Sequence, residues 1–301
     1  MSGKIKTAAE AIRTIPDGSH IALGGFAIAR CCIAPVHELI RQGKKNLTLS
    51  QGVAGLDTDL LVAAGAVSRL IIGGGSLDKF GPVHSINRAR EEGSLAFEDW
   101  TSLSICFRYL AGALGLSFIP IKSLISSEIL ERLERNTGAS EFVQSSCPFT
   151  GEDYVLLKAL SPDVSFVHVQ RADENGNCRI DGPRWENEEQ AKAAKRLIVI
   201  AEEIVLTREF QREPERTIIP AHRVETVIHQ PFGAYPTAVY GAYDYDAEHL
   251  KMYVEYAKRK GGAAEYIDVF VRATKDHRDF LRKTGAPGNL VPLQADPRLG
   301  Y

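Results

Sequence analysis

The sequence has little of several features that mark particular protein classes. Its cysteines number only five, an odd count, and none forms a Cys-x-x-Cys pair with metal-site or redox spacing. Lysine and arginine total 36 against 38 aspartates and glutamates, a net charge of −2, so no excess charge favours nucleic acid or a membrane surface as partner. No apolar run approaches the roughly 18 residues of a membrane span, and no secretory segment is visible. These absences predict a cytoplasmic protein without disulfides.

The signatures of common cofactor and metal enzymes are also missing. There is no Gly-x-Gly-x-x-Gly turn, no Gly-x-x-x-x-Gly-Lys phosphate loop, no His-Glu-x-x-His helix and no calcium-binding loop. The eight histidines are scattered, without the spacing of a metal site. The acidic run Glu186-Asn187-Glu188-Glu189 is more typical of a helix N-terminus, where the helix dipole favours negative charge, than of a metal site. The sequence thus predicts no bound metal.

What the sequence does contain is the alternation of an α/β protein. Hydrophobic residues make up 44% of the chain and charged residues 25%, as in ordinary globular proteins. A capping box, Thr7 followed by Glu10, predicts a first helix. Strands are predicted at residues 21–23, 47–50, 69–72, 95–98, 164–170, 197–201 and 225–229, and helices at 35–42, 58–64, 86–92 and 101–114. This order predicts an open, mostly parallel sheet with helices on both faces, in one domain spanning residues 1–301.

Three of the predicted strands end in turns that contain glycine: Gly24-Gly25-Phe26, Gln51-Gly52 and Gly73-Gly74-Gly75-Ser76. Ligands of open α/β sheets bind at the carboxyl ends of the strands, and glycine lets backbone N–H groups approach a ligand closely. The turns therefore predict donors for an oxyanion or a phosphate, with Gly74, Gly75 and Ser76 as substrate-binding residues. The alternative for each turn taken alone is a tight turn without a ligand.

Glu98 and Asp99 follow a further apolar run at a predicted strand end. A carboxylate that faces the crevice there can act as a general base, or as a nucleophile toward a thioester. The alternative, which we favour, is that Asp99 caps the helix that begins near Thr101.

The stretch from Asp17 to Phe26, Asp-Gly-Ser-His-Ile-Ala-Leu-Gly-Gly-Phe, resembles the glycine signature of family I coenzyme A transferases, most closely the α subunit of the glutaconate type. The likeness extends from about residue 5 to the C-terminus. Further segments look like that subunit in the same order: Leu39-Ile40-Arg41-Gln42-Gly43, Phe97-Glu98-Asp99, Ala113-Leu114-Gly115-Leu116, Gly176-Asn177, Phe232-Gly233-Ala234-Tyr235-Pro236 and residues 240–246.

The resemblance implies the CoA-transferase (NagB/RpiA/CoA transferase-like) fold and a partner chain, the homologous β subunit. In this family a glutamate of the partner attacks the acyl-CoA thioester, and coenzyme A is a substrate, so no bound cofactor is needed. Gly24, Gly25 and Phe26 would line the site and stabilise the oxyanion. Arg30 would bind the distal carboxylate of a dicarboxylic acid or, alternatively, pair at the subunit contact. Other transferases of this family carry an oxyanion-stabilising glutamine near the position of Ser102. The resemblance implies that Ser102 would donate through its hydroxyl instead.

The resemblance therefore predicts the α subunit of a heteromeric CoA-transferase that moves CoA between an acyl-CoA and a small carboxylic acid. Two alternatives stay open on the sequence. One is a ring-cleaving hydrolase of carbon–carbon bonds in CoA thioesters, or a decarboxylase, built on the same subunits. That hydrolase carries a glutamate near the position of Ser102, which weakens the hydrolase alternative. The other is a non-catalytic binding subunit.

Overall fold

The N-terminal capping box folds as the sequence predicts. In the computed structural model, which describes residues 3–137 and 140–296, the Thr7 hydroxyl accepts a hydrogen bond from the Glu10 N–H (3.2 Å). The Glu10 carboxylate in turn accepts one from the Thr7 N–H (2.8 Å). These bonds satisfy two N–H groups that a helix start leaves without partners. They begin helix α1 (Ala8–Arg13).

Strands and helices then alternate along much of the described chain. The strands are β1 (Ile5–Lys6), β2 (His20–Leu23), β3 (Leu47–Gln51), β4 (Val67–Ile72), β5 (Ala96–Asp99), β6 (Phe118–Ile121), β7 (Phe142–Ser146), β8 (Asp153–Lys158), β9 (Val164–Asp173), β10 (Cys178–Arg179), β11 (Arg196–Val205) and β12 (Thr226–His229). The helices after α1 are α2 (Ile33–Arg41), α3 (Leu56–Ala63), α4 (His84–Glu91), α5 (Ser102–Ala113), α6 (Glu128–Thr137), α7 (Asn187–Ala193), α8 (Thr207–Arg212), α9 (Ala247–Lys258), α10 (Gly262–Tyr266), α11 (His277–Lys283) and α12 (Ala286–Leu293).

Within the described residues, nine strands form one large sheet. Its order is β1-β12-β11-β9-β2-β3-β4-β5, and β10 pairs with β9. Every neighbouring pair along the main path is parallel, and only the short β10 is antiparallel. The predicted open, mostly parallel sheet is confirmed. Since the strands of the main path are parallel, all of them end at the same edge of the sheet.

Helices cover both faces of this sheet because successive strand residues point to opposite sides. In the central strand β2, Ile21 and Leu23 pack in a cluster with apolar residues of α2, α3, α4 and α9. Ala22, between them, packs on the other face with residues of α5. Both faces of the central strands are therefore buried, as expected for near-continuous apolar runs.

The observed helix α2 differs from its prediction at its start. It begins at Ile33, so Pro35 is its third residue rather than its first. Proline is tolerated there because the first four N–H groups of a helix have no partner within the helix. At the other end, Gly43 directly follows the C-cap residue Gln42 with a φ of +65°, which confirms the predicted glycine stop.

A small antiparallel sheet, which no sequence pattern predicted, packs against helix α5. Its order is β6-β8-β7. Arg108 of α5 is fully buried and pairs with Glu141 (2.6 Å), next to β7, and with Glu98 of β5 (3.5 Å). This ion cluster links the small sheet, through Glu141, to strand β5 of the large sheet, through Glu98. Loss of one partner would leave an uncompensated buried charge, which is strongly destabilising.

In the part of the chain that the structure describes, no helix has the length and the apolar content needed to cross a membrane. Nor does this part of the chain contain three or more His, Cys, Asp or Glu side chains grouped so that they could hold a metal ion.

Candidate active site

The carboxyl ends of β2, β3 and β4 bring the three glycine turns together. The Gly73 N–H donates to the Gly52 carbonyl (3.0 Å), and the Ala27 N–H donates to the Val53 carbonyl (3.4 Å). These bonds connect the turn after β2 (residues 24–26, the first turn), the turn after β3 (51–52, the second turn) and the turn after β4 (73–76, the third turn). The topology of an open α/β sheet places a ligand at such an edge.

The N–H groups of the first turn all donate hydrogen bonds within the chain. The Gly24 N–H donates to the Phe166 carbonyl (2.8 Å) and the Gly25 N–H to Asn187 Oδ1 (3.1 Å), while the Phe26 N–H donates inside its own loop (2.8 Å). None of them is free to bind an oxyanion in this structure. Their predicted role as oxyanion donors is therefore not supported by this structure. The prediction that Gly24, Gly25 and Phe26 line the site is still untested.

Only glycine fits at position 25. Its φ is +94°, and a Cβ there would lie 2.6 Å from the Arg30 carbonyl oxygen. At Gly24 a Cβ would lie 2.7 Å from Asn187 Oδ1 and 3.0 Å from the Phe166 carbonyl oxygen. Gly24 and Gly25 are therefore closely packed against backbone and side-chain atoms.

The start of helix α7 crosses over the first two turns. Asn187 accepts from Gly25, and Glu186 Oε1 accepts from the Gly52 N–H (2.8 Å). The Glu186 side chain is buried, and burial raises the pKa of its carboxyl group. The acidic run does start a helix, as predicted. Its contacts with turns 134 and 162 residues away could not be read from the sequence, because no spacing pattern encodes them.

The third turn presents free donors. Gly74 and Gly75 have no N–H hydrogen bond to any residue that the structure describes. Gly75 is exposed, and Gly74 has a φ of +137° with no atom within 4 Å of the position that a Cβ would take. By contrast, Ser76 is engaged, since its N–H donates to the Ala54 carbonyl (3.0 Å) and its hydroxyl accepts from the Asp78 N–H (2.9 Å). Two adjacent free N–H groups are the kind of donor pair that stabilises an oxyanion.

Ser102 lies against the third turn as the first residue of helix α5. A Cβ on Gly73 would lie 2.4 Å from the Ser102 nitrogen, and the Ser102 hydroxyl donates to the Gly73 carbonyl (3.3 Å). The positive end of the α5 dipole is therefore beside Gly73, the residue directly before Gly74 and Gly75. The structure thus brings Ser102 together with the third turn, at the strand edge where the resemblance implies the site.

Glu98 and Asp99 have other roles than those predicted. The Glu98 carboxylate is buried and accepts from Trp100 Nε1 (2.9 Å) and Arg69 Nε (2.7 Å), so it does not face the crevice. Thr101, rather than Asp99, caps α5, and its hydroxyl accepts from the Ser104 N–H (3.1 Å). The strand runs one residue further than predicted, which moves the cap along the chain.

Arg30 is buried next to the first turn, with a φ of +53°. Its Nη2 donates to the Pro183 carbonyl (2.6 Å), and the guanidinium carbon lies 4.8 Å from the centre of the Trp185 ring, which stacks on Phe26 (5.4 Å). Its Nη1 is buried without a hydrogen-bond partner among the described residues. Burial lowers the pKa of Arg30 to about 10, so the side chain is still charged at neutral pH.

A cavity of about 200 Å³ opens beside this guanidinium. A charged guanidinium that lines a cavity is suited to binding a carboxylate. The cavity wall includes Tyr243, whose hydroxyl donates to Glu202 (2.7 Å). The lining residues are Ala29, Arg30, Pro183, Trp185, Ala238, Tyr240, Tyr243 and Asp244.

Asp57 supports the loop between Gly25 and helix α2. Its carboxylate accepts from the Cys32 N–H (3.0 Å), and neighbouring Gln51 donates to the Gly24 carbonyl (3.3 Å). Asp57 is fully buried, and burial raises its pKa to about 6. No sequence pattern identifies this residue, because its role depends on tertiary contacts alone.

Comparison with known proteins agrees with this geometry. The family model described as "Coenzyme A transferase" matches residues 5–230. The α subunit of the glutaconate CoA-transferase of Acidaminococcus fermentans is 35% identical, over 99% of this chain and 97% of the relative. The α subunit of the 3-oxoadipate CoA-transferase of Pseudomonas knackmussii is 32% identical, over 93% and 98%. The chain also spans 65% of the length of an uncharacterized Archaeoglobus fulgidus protein, which is 33% identical over 98% of this chain.

Solved structures give the same result. The crystal structure of the A. fermentans glutaconate coenzyme A-transferase matches with a TM-score of 0.93 at 34% identity, over 99% of this chain and 98% of that chain. The decarboxylase AibA/AibB matches with a TM-score of 0.78 at 32% identity, over 88% and 98%. The family model and the two named subunits support a CoA-transferase subunit, and the alternatives to it are not favoured. The chain belongs to the coenzyme A transferase family.

Proposed function

We propose that this chain is the α subunit of a heteromeric CoA-transferase, which moves CoA between an acyl-CoA and a small carboxylic acid. The observation that carries the proposal is the pair of free N–H groups at Gly74 and Gly75, at the strand edge of a chain similar throughout to the α subunits of transferases. A homologous partner subunit supplies the nucleophilic glutamate. CoA is then a substrate, and the reaction needs no bound cofactor.

The proposed reaction proceeds through acyl transfer to and from the partner's glutamate. Its carboxylate attacks the thioester carbon, and the C–S bond breaks to give an acyl-glutamyl anhydride and the CoA thiolate. The thiolate then attacks the glutamyl carbonyl, which releases the first acid and leaves a glutamyl-CoA thioester. The acceptor carboxylate repeats these two steps in reverse. Each attack develops negative charge on a carbonyl oxygen, which Gly74, Gly75 and the α5 dipole would stabilise.

The proposed substrates include a dicarboxylic acid, whose distal carboxylate meets Arg30. The charged guanidinium of Arg30 and the cavity of about 200 Å³ that this residue lines support this choice. Both named transferase relatives act, by their names, on dicarboxylic acyl groups. The bond from Arg30 to the Pro183 carbonyl lies within this chain, so it does not support the alternative, in which Arg30 pairs at the subunit contact.

The transfer is tested on the chain co-expressed with its partner subunit. Incubation with acetyl-CoA, then borohydride reduction and mass mapping, is expected to reveal a reduced glutamate on the partner. Glutarate and adipate are expected to take up CoA from acetyl-CoA. Absence of both the adduct and the exchange would refute the proposal, whereas release of carbon dioxide or a cleaved carbon–carbon bond would favour the decarboxylase or hydrolase.

The dicarboxylate site is tested with Arg30→Lys and Arg30→Gln. Loss of a charge-assisted hydrogen bond, about 1.5–3 kcal/mol, is expected to raise the KM for glutarate at least tenfold and to leave the KM for acetate unchanged. Arg212→Ala, at an exposed position of α8, is the matched control. Equal losses for both acids would mean that Arg30 acts by packing at the subunit contact.

A further inference from the structure

A second group of arginines lies at the outer edge of the large sheet, beside strand β5. Arg90, from the end of α4, and Arg132 and Arg135, from α6, line a cavity of about 490 Å³. Phe97 and Asp99 of β5 also line it. We call this group the edge arginines.

The residues that line the cavity carry three positive charges, on the edge arginines, against one negative charge, on Asp99. Arg90 (3.3 Å) and Arg132 (3.7 Å) share one carboxylate, that of Asp99. Arg135 has no carboxylate partner within residues 3–137 and 140–296. The Nε of Arg132 is buried, and it has no hydrogen-bond partner among those residues either. An anionic ligand with several oxygens would use the accessible guanidinium donors, those of Arg135 above all.

The cavity also offers an aromatic surface. The guanidinium of Arg90 lies 5.1 Å from the centre of the Phe97 ring. Asn136, at the same cavity, donates to the Phe97 carbonyl (3.1 Å), which holds the C-terminal end of α6 against the strand. Proteins that bind single-stranded nucleic acids combine positive charge with aromatic side chains, on which the bases stack, and this cavity has both elements.

The edge arginines are close to the third turn. Asp99 pairs with Ile72 in the register of β4 and β5, and the Trp100 N–H donates to the Ile72 carbonyl (2.8 Å). Gly73 and the free donors of Gly74 and Gly75 follow Ile72 directly. A ligand that reacts at the third turn and is negatively charged at its far end can therefore reach the cavity along the sheet edge.

We propose that Arg90, Arg132 and Arg135 bind the phosphate groups of coenzyme A while its thioester lies at the third turn. This inference rests on the proposed function, because it takes CoA as the substrate. The pantetheine arm separates the thioester from the diphosphate and the 3′-phosphate, so one molecule would span both places. The arginines bind substrate without contact with the reacting atoms.

The first experiment compares two thioesters on the complex with the partner subunit. Arg135→Ala is expected to lower kcat/KM for acetyl-CoA about tenfold, since it removes one charge-assisted phosphate contact. Acetyl-pantetheine lacks the nucleotide and its phosphates. With this substrate, the Arg135→Ala complex and the unsubstituted complex should have the same kcat/KM. Arg212→Ala, an exposed arginine on α8, is expected to change neither value.

Equal losses with both thioesters, or no loss with acetyl-CoA, would overturn the inference and leave the transferase proposal standing. The second experiment does not depend on turnover. Adenosine 3′,5′-bisphosphate, the phosphorylated end of CoA, is expected to bind the complex, and Arg135→Ala should weaken it about tenfold. If the bisphosphate bound both proteins equally, or no more tightly than inorganic phosphate, the cavity would not be a CoA site. If it bound as expected but no CoA transfer occurred, only the proposed function would fail.

Discussion

The first and third glycine turns lie at the ends of strands of the same sheet, yet they are built in opposite ways. In the first turn the N–H groups of Gly24, Gly25 and Phe26 all donate within the chain, and side chains from α7 close over it. In the third turn Gly74 and Gly75 donate to no described residue, and a Cβ on Gly74 would meet no atom within 4 Å. Glycine serves close packing in one case and access to donors in the other.

This contrast separates two uses of the same residue type. A closely packed glycine turn fixes the position of the residues after it, here Arg30 and the start of α2. An open glycine turn leaves N–H groups for a ligand. Substitutions should therefore lower stability in the first turn and activity in the third, and four variants distinguish these two uses.

Gly25→Ala should have the largest effect. The new Cβ would overlap the Arg30 carbonyl in a backbone conformation that alanine avoids, at a cost above about 3 kcal/mol in the free energy of unfolding. Urea unfolding of the purified chain measures it. A loss below about 1 kcal/mol would show that the first turn has more room than its contacts indicate.

Gly74→Ala should instead lower activity. Strain from the φ of +137° costs about 1–2 kcal/mol of stability, since no neighbour blocks the Cβ. The displaced donors should lower kcat about a hundredfold, comparable to the loss of one oxyanion donor. Steady-state transfer by the complex, together with urea unfolding, checks both values. Unchanged kcat would assign the oxyanion donors elsewhere.

Asp57→Asn tests whether the buried Asp57 carboxyl group, which supports the first turn, makes the stability of the chain depend on pH. The native pKa of Asp57, about 6, is raised above its unfolded value, so the native state keeps a proton that the unfolded chain has lost. Its contribution to stability is therefore full below about pH 4 and is lost as the pH rises through 6, by about 3 kcal/mol. The stability difference between variant and parent should change across this window, and a flat difference would contradict the burial of the carboxyl group.

Ser102→Ala should have the smallest effect of the four. The hydroxyl makes one hydrogen bond of 3.3 Å to the Gly73 carbonyl, which contributes about 1 kcal/mol or less. We expect kcat for CoA transfer to fall no more than about fivefold, since the N–H donors and the α5 dipole are retained. A fall beyond a hundredfold would instead identify the Ser102 hydroxyl as an oxyanion donor in its own right.

Local signals predicted much of the fold. Thr7 and Glu10 form their capping box because both partners lie within one helical turn. The apolar runs that end β2 and β4 are buried, and continuous apolar runs of this kind indicate parallel strands covered on both faces. The small sheet was missed because its strands are largely exposed and do not alternate regularly with helices.

The site was predicted only in part, because some of its contacts join residues that are far apart in the sequence. Gly74, Gly75 and Ser102 lie where strand ends place them. Glu186 and Asn187 contact turns that are more than a hundred residues away, and nothing local to either segment shows the pairing. Glu98 looked accessible because the sequence does not show that Arg69 and Arg108 hold it in a buried ion cluster.

That ion cluster limits how this chain can be shortened. Deletion of the segment that contains β6, β7 and β8 would remove Glu141 and leave buried Arg108 with Glu98 as its remaining carboxylate partner within the described chain. Since α5 carries both Arg108 and Ser102, the loss would reach the third turn. The small sheet thus helps to hold α5 in position against the third turn, and a shortened form of this chain has to retain it.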